Sequence, residues 1–331
     1  MNTPPPMRHA RFSLLLLGAV LFNACGQGSG KEPQIPLAAV TVAVPPAGTV
    51  LPASPVDMRD ITIDVNAEVP LERQQWYFEC HGVSRHASSL ASQVLPANAD
   101  VPYATQQRMA VVTPPGNPLR GIVLRTAQGD PMTSGAPRCE FTFTANARSF
   151  LPEASDFWQA QKIWVEDWSQ AGDMQLVYQW HDTDFPLALN PLMALVVQGG
   201  TAFLQVRWET SGKPTTGKST IATKDIWIGP ANTFTGRWAT IVVQARISPD
   251  PARQPFLKFW IDGRLLADYS GPLGYIQPGK PVYGKLGFYH WLQGNMWDPR
   301  YPIRSIYVRR AVTVLDPNRR YDEPMLNSLV Q

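Results

Sequence analysis

The sequence lacks several features that would assign it to a common class of protein. Its 331 residues carry a formal net charge of only +3, which is too small to indicate a nucleic acid partner. No stretch of useful length repeats its apolar residues with the helical period, and no internal repeat is visible. A weakly basic charge suits a polyanionic substrate and suits an ordinary protein surface equally well.

Long apolar runs are also missing. The run at 12–22 follows two arginines and is too short to cross a bilayer as a stable helix, which is typical of an export signal. It ends in LFNACG, which resembles a bacterial lipobox with imperfect residues before Ala24. We interpret 1–25 as a lipoprotein-type signal peptide ending at a lipidated Cys25, with plain secretion as the alternative. By resemblance to Gram-negative lipoproteins, Gly26 rather than Asp after the cysteine implies the outer membrane, facing the periplasm or the cell surface, with the lipid as the only membrane contact.

Cysteine is scarce, with 3 in the whole chain. If Cys25 is lipidated, Cys80 and Cys139 are left, and an even pair in an exported protein usually forms a disulfide. Cys80 has the same strand phase as Phe78, and Cys139 has the same phase as Phe141. Both sulfurs therefore face the predicted core, where two free buried thiols are the alternative.

The remaining organisation follows from proline and turn residues. Residues 26–57 are rich in Pro, Ala, Gly and Val, and we expect them to form a flexible tether. Residues 58–318 contain many short alternating stretches separated by turn signals, among them Gly-Gly at 199–200 and Asp-Gly at 262–263. This pattern predicts an all-β sandwich or jelly roll. Residues 319–331 are taken as a C-terminal tail.

One stretch, 174–182, has an unusual distribution of side chains. If it is a strand, its alternation points Leu176, Tyr178 and Trp180 to one face and Gln175, Gln179 and His181 to the other. An amide and an imidazole side by side on a sheet surface indicate a site. A structural role for His181 is the alternative.

Two distant stretches share this design. Residues 138–143 place Arg138, Glu140 and Thr142 opposite Cys139, Phe141 and Phe143. Residues 283–289 place Tyr283, Lys285 and Tyr289 opposite Leu286 and Phe288. The simplest arrangement is one sheet of a sandwich, with its apolar face on the core and its polar face lining a groove.

In order and spacing, these stretches resemble the signature strands of jelly-roll polysaccharide lyases. Alginate lyases of this kind carry Arg-x-Glu-x-Arg, Gln-(Ile/Val)-His and Tyr-Phe-Lys-x-Gly-x-Tyr-x-Gln, and the chain has RCEFT at 138–142, QWH at 179–181 and YGKLGFY at 283–289. The QWH form, the Asn-Pro at 190–191 and the FWIDG hairpin at 259–263 are closer to heparin lyase I and glucuronan lyase. The resemblance implies a concanavalin A-like β-jelly-roll sandwich of two antiparallel sheets.

The departures from the motif bear on the substrate. Thr142 stands where alginate lyases have a second Arg, and Trp291 stands where they have a final Gln. Both changes weaken the alginate assignment, and we expect glucuronate polymers to be better substrates.

The resemblance implies a lyase that cleaves a C4-linked uronic-acid polymer by β-elimination. It assigns the catalytic roles to Arg138 and Gln179, which neutralise the carboxylate, to His181 as base or neutralising partner, and to Tyr289 as acid or as acid and base. Substrate contacts are assigned to Glu140, which orients Arg138, and to Lys285 and Tyr283. Trp291 is a further candidate that could stack on a sugar, with core packing or loop anchoring as the alternative. No catalytic metal or other cofactor is expected, although related lyases sometimes hold a structural calcium. The expected partner is an anionic polysaccharide, and the expected state is a monomer.

Two other functions remain as alternatives. The fold could serve as a non-catalytic carbohydrate-binding module on the cell surface, because fold does not fix function. A glycoside hydrolase of similar shape needs two carboxylates flanking the scissile bond, and no such strand motif is present. The combination of Gln179, His181 and Tyr289 favours the lyase.

Overall fold

The computed structural model describes residues 61–64, 77–86, 108–142, 150–182, 189–276, 282–291 and 296–331. The predicted signal peptide, Cys25, the tether and Phe143 lie outside these residues. No helix within the described ranges is long and apolar enough to cross a membrane.

Strands form most of the described chain. They are β1 (Ile61–Asp64), β2 (Tyr77–Cys80), β3 (Val83–His86), β4 (Met109–Val112), β5 (Gly121–Ala127), β6 (Arg138–Thr142), β7 (Phe150–Leu151), β8 (Asp156–Val165), β9 (Gln175–Asp182), β10 (Met193–Gln198), β11 (Thr201–Glu209), β12 (Ile221–Pro230), β13 (Trp238–Arg246), β14 (Phe256–Ile261), β15 (Arg264–Ser270), β16 (Val282–His290) and β17 (Ile303–Leu315). One helix, α1 (Glu323–Leu329), follows them.

The strands form two sheets, which confirms the predicted all-β jelly-roll sandwich. The back sheet has the order β15-β14-β13-β8-β17-β5-β4, with β1 pairing β17, and the front sheet has the order β12-β11-β10-β9-β16-β6-β2-β3, with β7 pairing β16. The pairings between these strands are antiparallel. The three stretches with polar faces, β6, β9 and β16, are neighbours in the front sheet, as predicted.

The core lies between the sheets and is made of apolar side chains from both. Beneath the middle of the front sheet it also contains a polar bridge. The Trp180 indole donates to Gln159 Oε1 of β8 at 2.7 Å, and the Tyr178 hydroxyl donates to the same oxygen. Because buried polar groups need partners, this bridge fixes β9 against the back sheet.

The alternation predicted for β9 is wrong at its start. Leu195 pairs with Tyr178 but Val196 pairs with Leu176, so Val177 is an extra residue in the strand, as in a β-bulge. Val177 therefore joins the core with Tyr178, while Leu176 turns to the outer face. Gln175 pairs with His290 on the core side, and only Gln179 and His181 keep the predicted polar orientation.

The residues taken as a tail form α1, which packs on the outer face of the back sheet. Asp322 caps the helix by accepting a hydrogen bond from the Met325 backbone N–H at 3.0 Å. Leu326 and Val330 are buried among apolar residues of β8, β13 and β17. With seven residues, the helix is too short to show a clear period, which explains why the pattern missed it.

Candidate active site

The front-sheet register brings the predicted site residues into rows. Tyr289 lies opposite Arg138, and Lys285 lies opposite Gln179. Tyr283 lies opposite His181. Because directly opposed residues of antiparallel strands share a face, all six project from the same side of the sheet.

These side chains line a groove of about 500 Å³. The groove walls include Leu189, Asn190, Pro191 and Lys218, beside the predicted Arg138, Gln179, His181, Tyr283, Lys285, Tyr289 and Trp291 and the unpredicted Glu79 and Ser134. Glu140 lies beneath them and is 1% exposed. The arrangement combines cations, an imidazole, a phenol and an amide in one concave polar surface.

Glu140 organises the two groups that were expected to neutralise a carboxylate. It accepts a hydrogen bond from the Gln179 amide at 2.6 Å and lies 3.4 Å from Arg138 Nη1. Arg138 also donates to the Ser134 backbone carbonyl at 3.1 Å. These contacts hold the guanidinium and the amide in fixed orientations on the groove floor.

Glu79 is a functional candidate that the sequence analysis missed. Its Oε2 lies 2.6 Å from Lys285 Nζ and 3.3 Å from Arg138 Nη1, and its Oε1 accepts from the Ser134 hydroxyl at 2.6 Å. A signal for it was present, because pairing Cys80 with Cys139 places the preceding Glu79 opposite Glu140 on the polar face.

The two carboxyl groups have opposite electrostatic environments. Burial alone would raise the pKa of Glu79, but the charges of Lys285 and Arg138 outweigh it and bring the pKa to about 2. Burial also raises the pKa of Glu140, and there Lys285 and Arg138 offset it only in part. Glu79 is therefore the fixed negative charge of the groove.

The predicted acid, Tyr289, lies directly against a cation. The Arg138 guanidinium carbon is 4.2 Å from the centre of the Tyr289 ring, which is a cation–π contact. Burial raises the pKa of Tyr289, and Arg138 counters this only in part. The phenol consequently keeps its proton at neutral pH, as a proton donor requires.

His181 has a defined orientation at the end of β9. Its Nδ1 is 2.7 Å from the Asp182 backbone oxygen, and its ring stacks on Tyr283 with centroids 6.2 Å apart. A carbonyl only accepts, so in the neutral ring Nδ1 carries the proton and Nε2 has the lone pair. The side chain is 15% exposed and lines the groove, where Nε2 can accept a proton.

Gly287 lets β16 approach β6 closely between Lys285 and Tyr289. Its φ is +145°, and a Cβ on it would lie 2.3 Å from the Cys139 carbonyl oxygen and 2.7 Å from Glu140 Cα. Any larger residue would therefore push β16 away from β6 and displace the row formed by Arg138 and Tyr289.

Trp291 closes one end of the groove. It is 7% exposed and packs with Leu176, Ala194 and Val196. The Arg207 guanidinium lies 5.3 Å from its ring centre. Its position fits an aromatic wall of the groove more than an exposed stacking platform.

The two predicted sulfur partners are joined: Cys80 and Cys139 form a disulfide between β2 and β6. The lipidation site at Cys25 lies outside the described residues. Within the described ranges, no three His, Cys, Asp or Glu side chains cluster as metal ligands would. Calcium binding stays a prediction of the resemblance alone.

A scan of family models matches residues 104–309 to a polysaccharide lyase family. No curated protein matches the chain.

Solved structures similar to this chain include alginate lyases and a glucuronan lyase. A family 7 alginate lyase in complex with substrate has 11% sequence identity and a TM-score of 0.52, and the alignment covers 78% of this chain and 99% of the alginate lyase chain. The alginate lyase from Klebsiella pneumoniae has 12% identity, with 76% and 99% covered and a TM-score of 0.50. The endo-β-1,4-glucuronan lyase from Trichoderma reesei has 14% identity, with 62% and 86% covered and a TM-score of 0.48. The two alginate lyase matches establish the fold and, at these identities, the fold alone.

Proposed function

Because the chain belongs to the polysaccharide lyase family, we propose that it cleaves a C4-linked uronate polymer by β-elimination, with glucuronate polymers preferred over alginate. The observation that carries the proposal is the convergence of Arg138, Gln179, His181 and Tyr289 on one groove. The preference rests on Thr142 and Trp291, the two departures from the alginate motif.

The first requirement of elimination is to make the C5 proton acidic. That proton lies beside the sugar carboxylate, so a negative charge develops as it leaves, and fixed donors must stabilise this charge. Arg138 supplies a cationic fork and Gln179 an amide, both held by Glu140. Their orientation on the groove floor suits binding of the carboxylate at the reacting sugar.

The second requirement is two proton transfers. A base takes the C5 proton, the C5–H electron pair forms the C4–C5 double bond, the C4–O bond breaks, and an acid protonates the leaving oxygen. Nε2 of His181 suits the base. The raised pKa of Tyr289 suits the acid. Where proton and leaving group lie on one face of the sugar, Tyr289 would first have to lose its own proton, which its raised pKa opposes. The phenolate would then take the C5 proton and pass it to the leaving oxygen, and His181 would join Arg138 in neutralising the carboxylate.

Hydrolysis is the second candidate, because the groove region contains two carboxyl groups with opposite pKa shifts, Glu79 and Glu140. Glycosidases use such a pair from opposite sides of the scissile bond. Here the two are directly opposed on β2 and β6, and Glu140, unlike Glu79, does not line the groove. This placement favours an electrostatic role for both.

The test is a panel of polyuronates incubated with residues 58–331. Elimination leaves a double bond conjugated to the carboxylate, so the product absorbs in the ultraviolet, whereas hydrolysis gives no such absorbance. We expect an ultraviolet signal that survives chelation, since the four side chains require no cofactor. Binding without an unsaturated product would support the carbohydrate-binding module instead.

We also propose that the protein is an exported lipoprotein of the outer membrane, anchored at Cys25. The support is the short apolar run and the lipobox-like LFNACG ending at 21–26. Membrane fractionation of the full chain and of Cys25→Ser tests it. The full chain should sediment with membranes and the variant should be soluble, whereas identical soluble behaviour would contradict the proposal.

A further inference from the structure

The cations on the groove floor are paired with carboxylates before any substrate arrives. Lys285 Nζ is 2.6 Å from Glu79 Oε2, and Arg138 Nη1 lies 3.3 Å from that oxygen and 3.4 Å from Glu140. Lys285 and Glu79 are both below 10% exposed, so water screens their interaction little. The floor therefore offers a polyanion far less net positive charge than its basic side chains suggest.

Glu79 is held firmly in this position. Its Oε1 accepts a hydrogen bond from Ser134 while Oε2 faces the two cations. The next residue, Cys80, is bonded covalently to Cys139 of β6. A substrate carboxylate thus cannot displace Glu79 by moving β2 away, and with a pKa of about 2 the carboxyl stays charged at working pH.

The register locates this charge relative to the reacting groups. Lys285 lies beside Gln179 on the neighbouring strand, and Glu79 lies beside Glu140, which holds both Gln179 and Arg138. One substrate carboxylate can be neutralised by Arg138 and Gln179, as elimination requires. A second carboxylate near Lys285 would meet the Glu79 charge, and like charges brought together are unfavourable.

We propose that Glu79 is a specificity-determining residue that selects a polymer in which uronates are separated by neutral sugars over a polymer with a carboxylate on every sugar. This proposal rests on the proposed function and narrows its substrate class. Glu79 acts by occupying Lys285, so that the sugar next to the reacting uronate is bound through hydroxyl groups. Leu189, Asn190, Pro191 and Tyr283 on the groove walls fit such a sugar, while Lys218 adds one cation to the same walls.

The experiment compares two oligosaccharides of equal length, one of C4-linked glucuronate alone and one in which glucuronate alternates with a neutral hexose. Affinities are measured by calorimetry in proteins carrying Tyr289→Phe, so that the ligand is not consumed. Three variants are added: Glu79→Gln, Lys285→Met and the two together. Glu323→Gln, at the start of α1 on the other sheet, is the matched control.

We expect the parent to bind the alternating oligosaccharide more tightly. Glu79→Gln should tighten binding of the homopolymer about tenfold or more and steepen its salt dependence, because it frees a cation. Lys285→Met should make homopolymer binding weaker than in the parent, because it leaves the Glu79 charge without its cation. The double variant should return to the parent value. The alternating ligand should tighten too, because Glu79→Gln also removes a contact of Arg138, which both ligands use, but it should tighten less than the homopolymer. Glu323→Gln should change neither.

The possible failures are distinguishable. Equal effects of Glu79→Gln on both ligands, or a parent that prefers the homopolymer, would overturn the proposal. If Glu79→Gln does not fold, as its thermal unfolding would reveal, Lys285→Met and the double variant still test the same charge. If the binding pattern appears but proteins with Tyr289 form no unsaturated product, the elimination reaction is wrong while the specificity assignment stands. Absence of binding to either ligand would overturn both.

Discussion

The front and back sheets each present a polar concavity to solvent, and the larger one is on the back. A cleft of about 690 Å³ lies over β13, β14 and β15, against about 500 Å³ for the front groove. The back cleft contains an exposed ion pair, Lys258 with Asp268, whose side chains are 39% and 51% exposed, and a less exposed one, Arg246 with Asp156, at 17% and 6%. In the front groove, Lys285 and Glu79 are 7% and 9% exposed.

This difference separates charges that cost the fold little from charges that cost it stability. Exposed pairs such as that of the back cleft contribute about 0–1 kcal/mol, and losing one changes little. Buried charges lose hydration, and their attraction rarely restores all of it. A fold that keeps such charges in a groove, with perturbed pKa values around them, indicates a functional site more clearly than cavity volume does.

The largest expected effect is on catalysis in the front groove. Tyr289→Phe removes the phenolic proton and little volume, so we expect turnover to fall by about 10²–10⁴-fold with ligand binding largely kept. His181→Ala should act similarly. The measurement is the initial rate of ultraviolet product formation on the best polyuronate of the panel.

The matched control for that prediction lies in the back cleft. Arg319 lines it and is 72% exposed, at 3.3 Å from Asp156. Arg319→Ala should leave turnover within about twofold of the parent, as surface changes usually do. If Arg319→Ala lowers turnover as far as Tyr289→Phe does, the comparison between the two concavities is wrong.

The two sheets are also stabilised by different elements. The front sheet has the Cys80–Cys139 bond and the back sheet has α1. Replacing both cysteines by Ala should lower the free energy of unfolding by about 2–5 kcal/mol, mostly by releasing a constraint on the unfolded chain. Denaturant unfolding measures it. Two labelled thiols in denatured, unreduced protein from the periplasm would contradict the bond.

On the back sheet, Leu326→Ala should lower the free energy of unfolding by about 2–3 kcal/mol, because it leaves a cavity where α1 packs. Turnover at a temperature where the variant is folded should be unchanged, since the helix contacts the sheet that carries no proposed catalytic group. A loss of turnover in fully folded Leu326→Ala would show that the back sheet also controls the groove.

The sequence pattern could predict the sheet face of nearly every site residue, because period-two alternation is local. It failed at Val177, since a bulge depends on how β9 pairs with β10 and β16, which is a property of three strands together. It also missed β12, an edge strand that alternates weakly and is mostly part-exposed or exposed.

Glu79 was missed for a different reason. Its importance comes from Lys285, 206 positions away, and no spacing rule connects the two. The predicted disulfide between Cys80 and Cys139 sets the register of β2 against β6, and the position of Glu79 follows from that register. Residues that act through long-range charge pairing are therefore the ones that local pattern identifies least well.

The smallest expected effect concerns the acid sensitivity of the groove. The pKa of Glu79 is lowered to about 2, so its contribution to stability is present above the ordinary carboxyl pKa of about 4.3 and is lost as pH falls towards 2. Glu140 has a raised pKa and acts in the opposite sense, since its contribution is present at low pH and is lost as pH rises. Between pH 5 and pH 3 we expect the Glu79 contribution to fall by about 1–2 kcal/mol.

Urea unfolding of the parent, Glu79→Gln and Glu323→Gln at several pH values between 5 and 3 isolates this contribution. Glu79→Gln should lack that part of the pH dependence whatever its absolute stability, because glutamine does not titrate. Glu323→Gln should follow the parent, since Glu323 is at the start of α1 on the back sheet. If the curves of the parent and Glu79→Gln are parallel, Glu79 is not the fixed charge of the groove, and its pair with Lys285 would resemble the exposed Lys258–Asp268 pair of the back cleft.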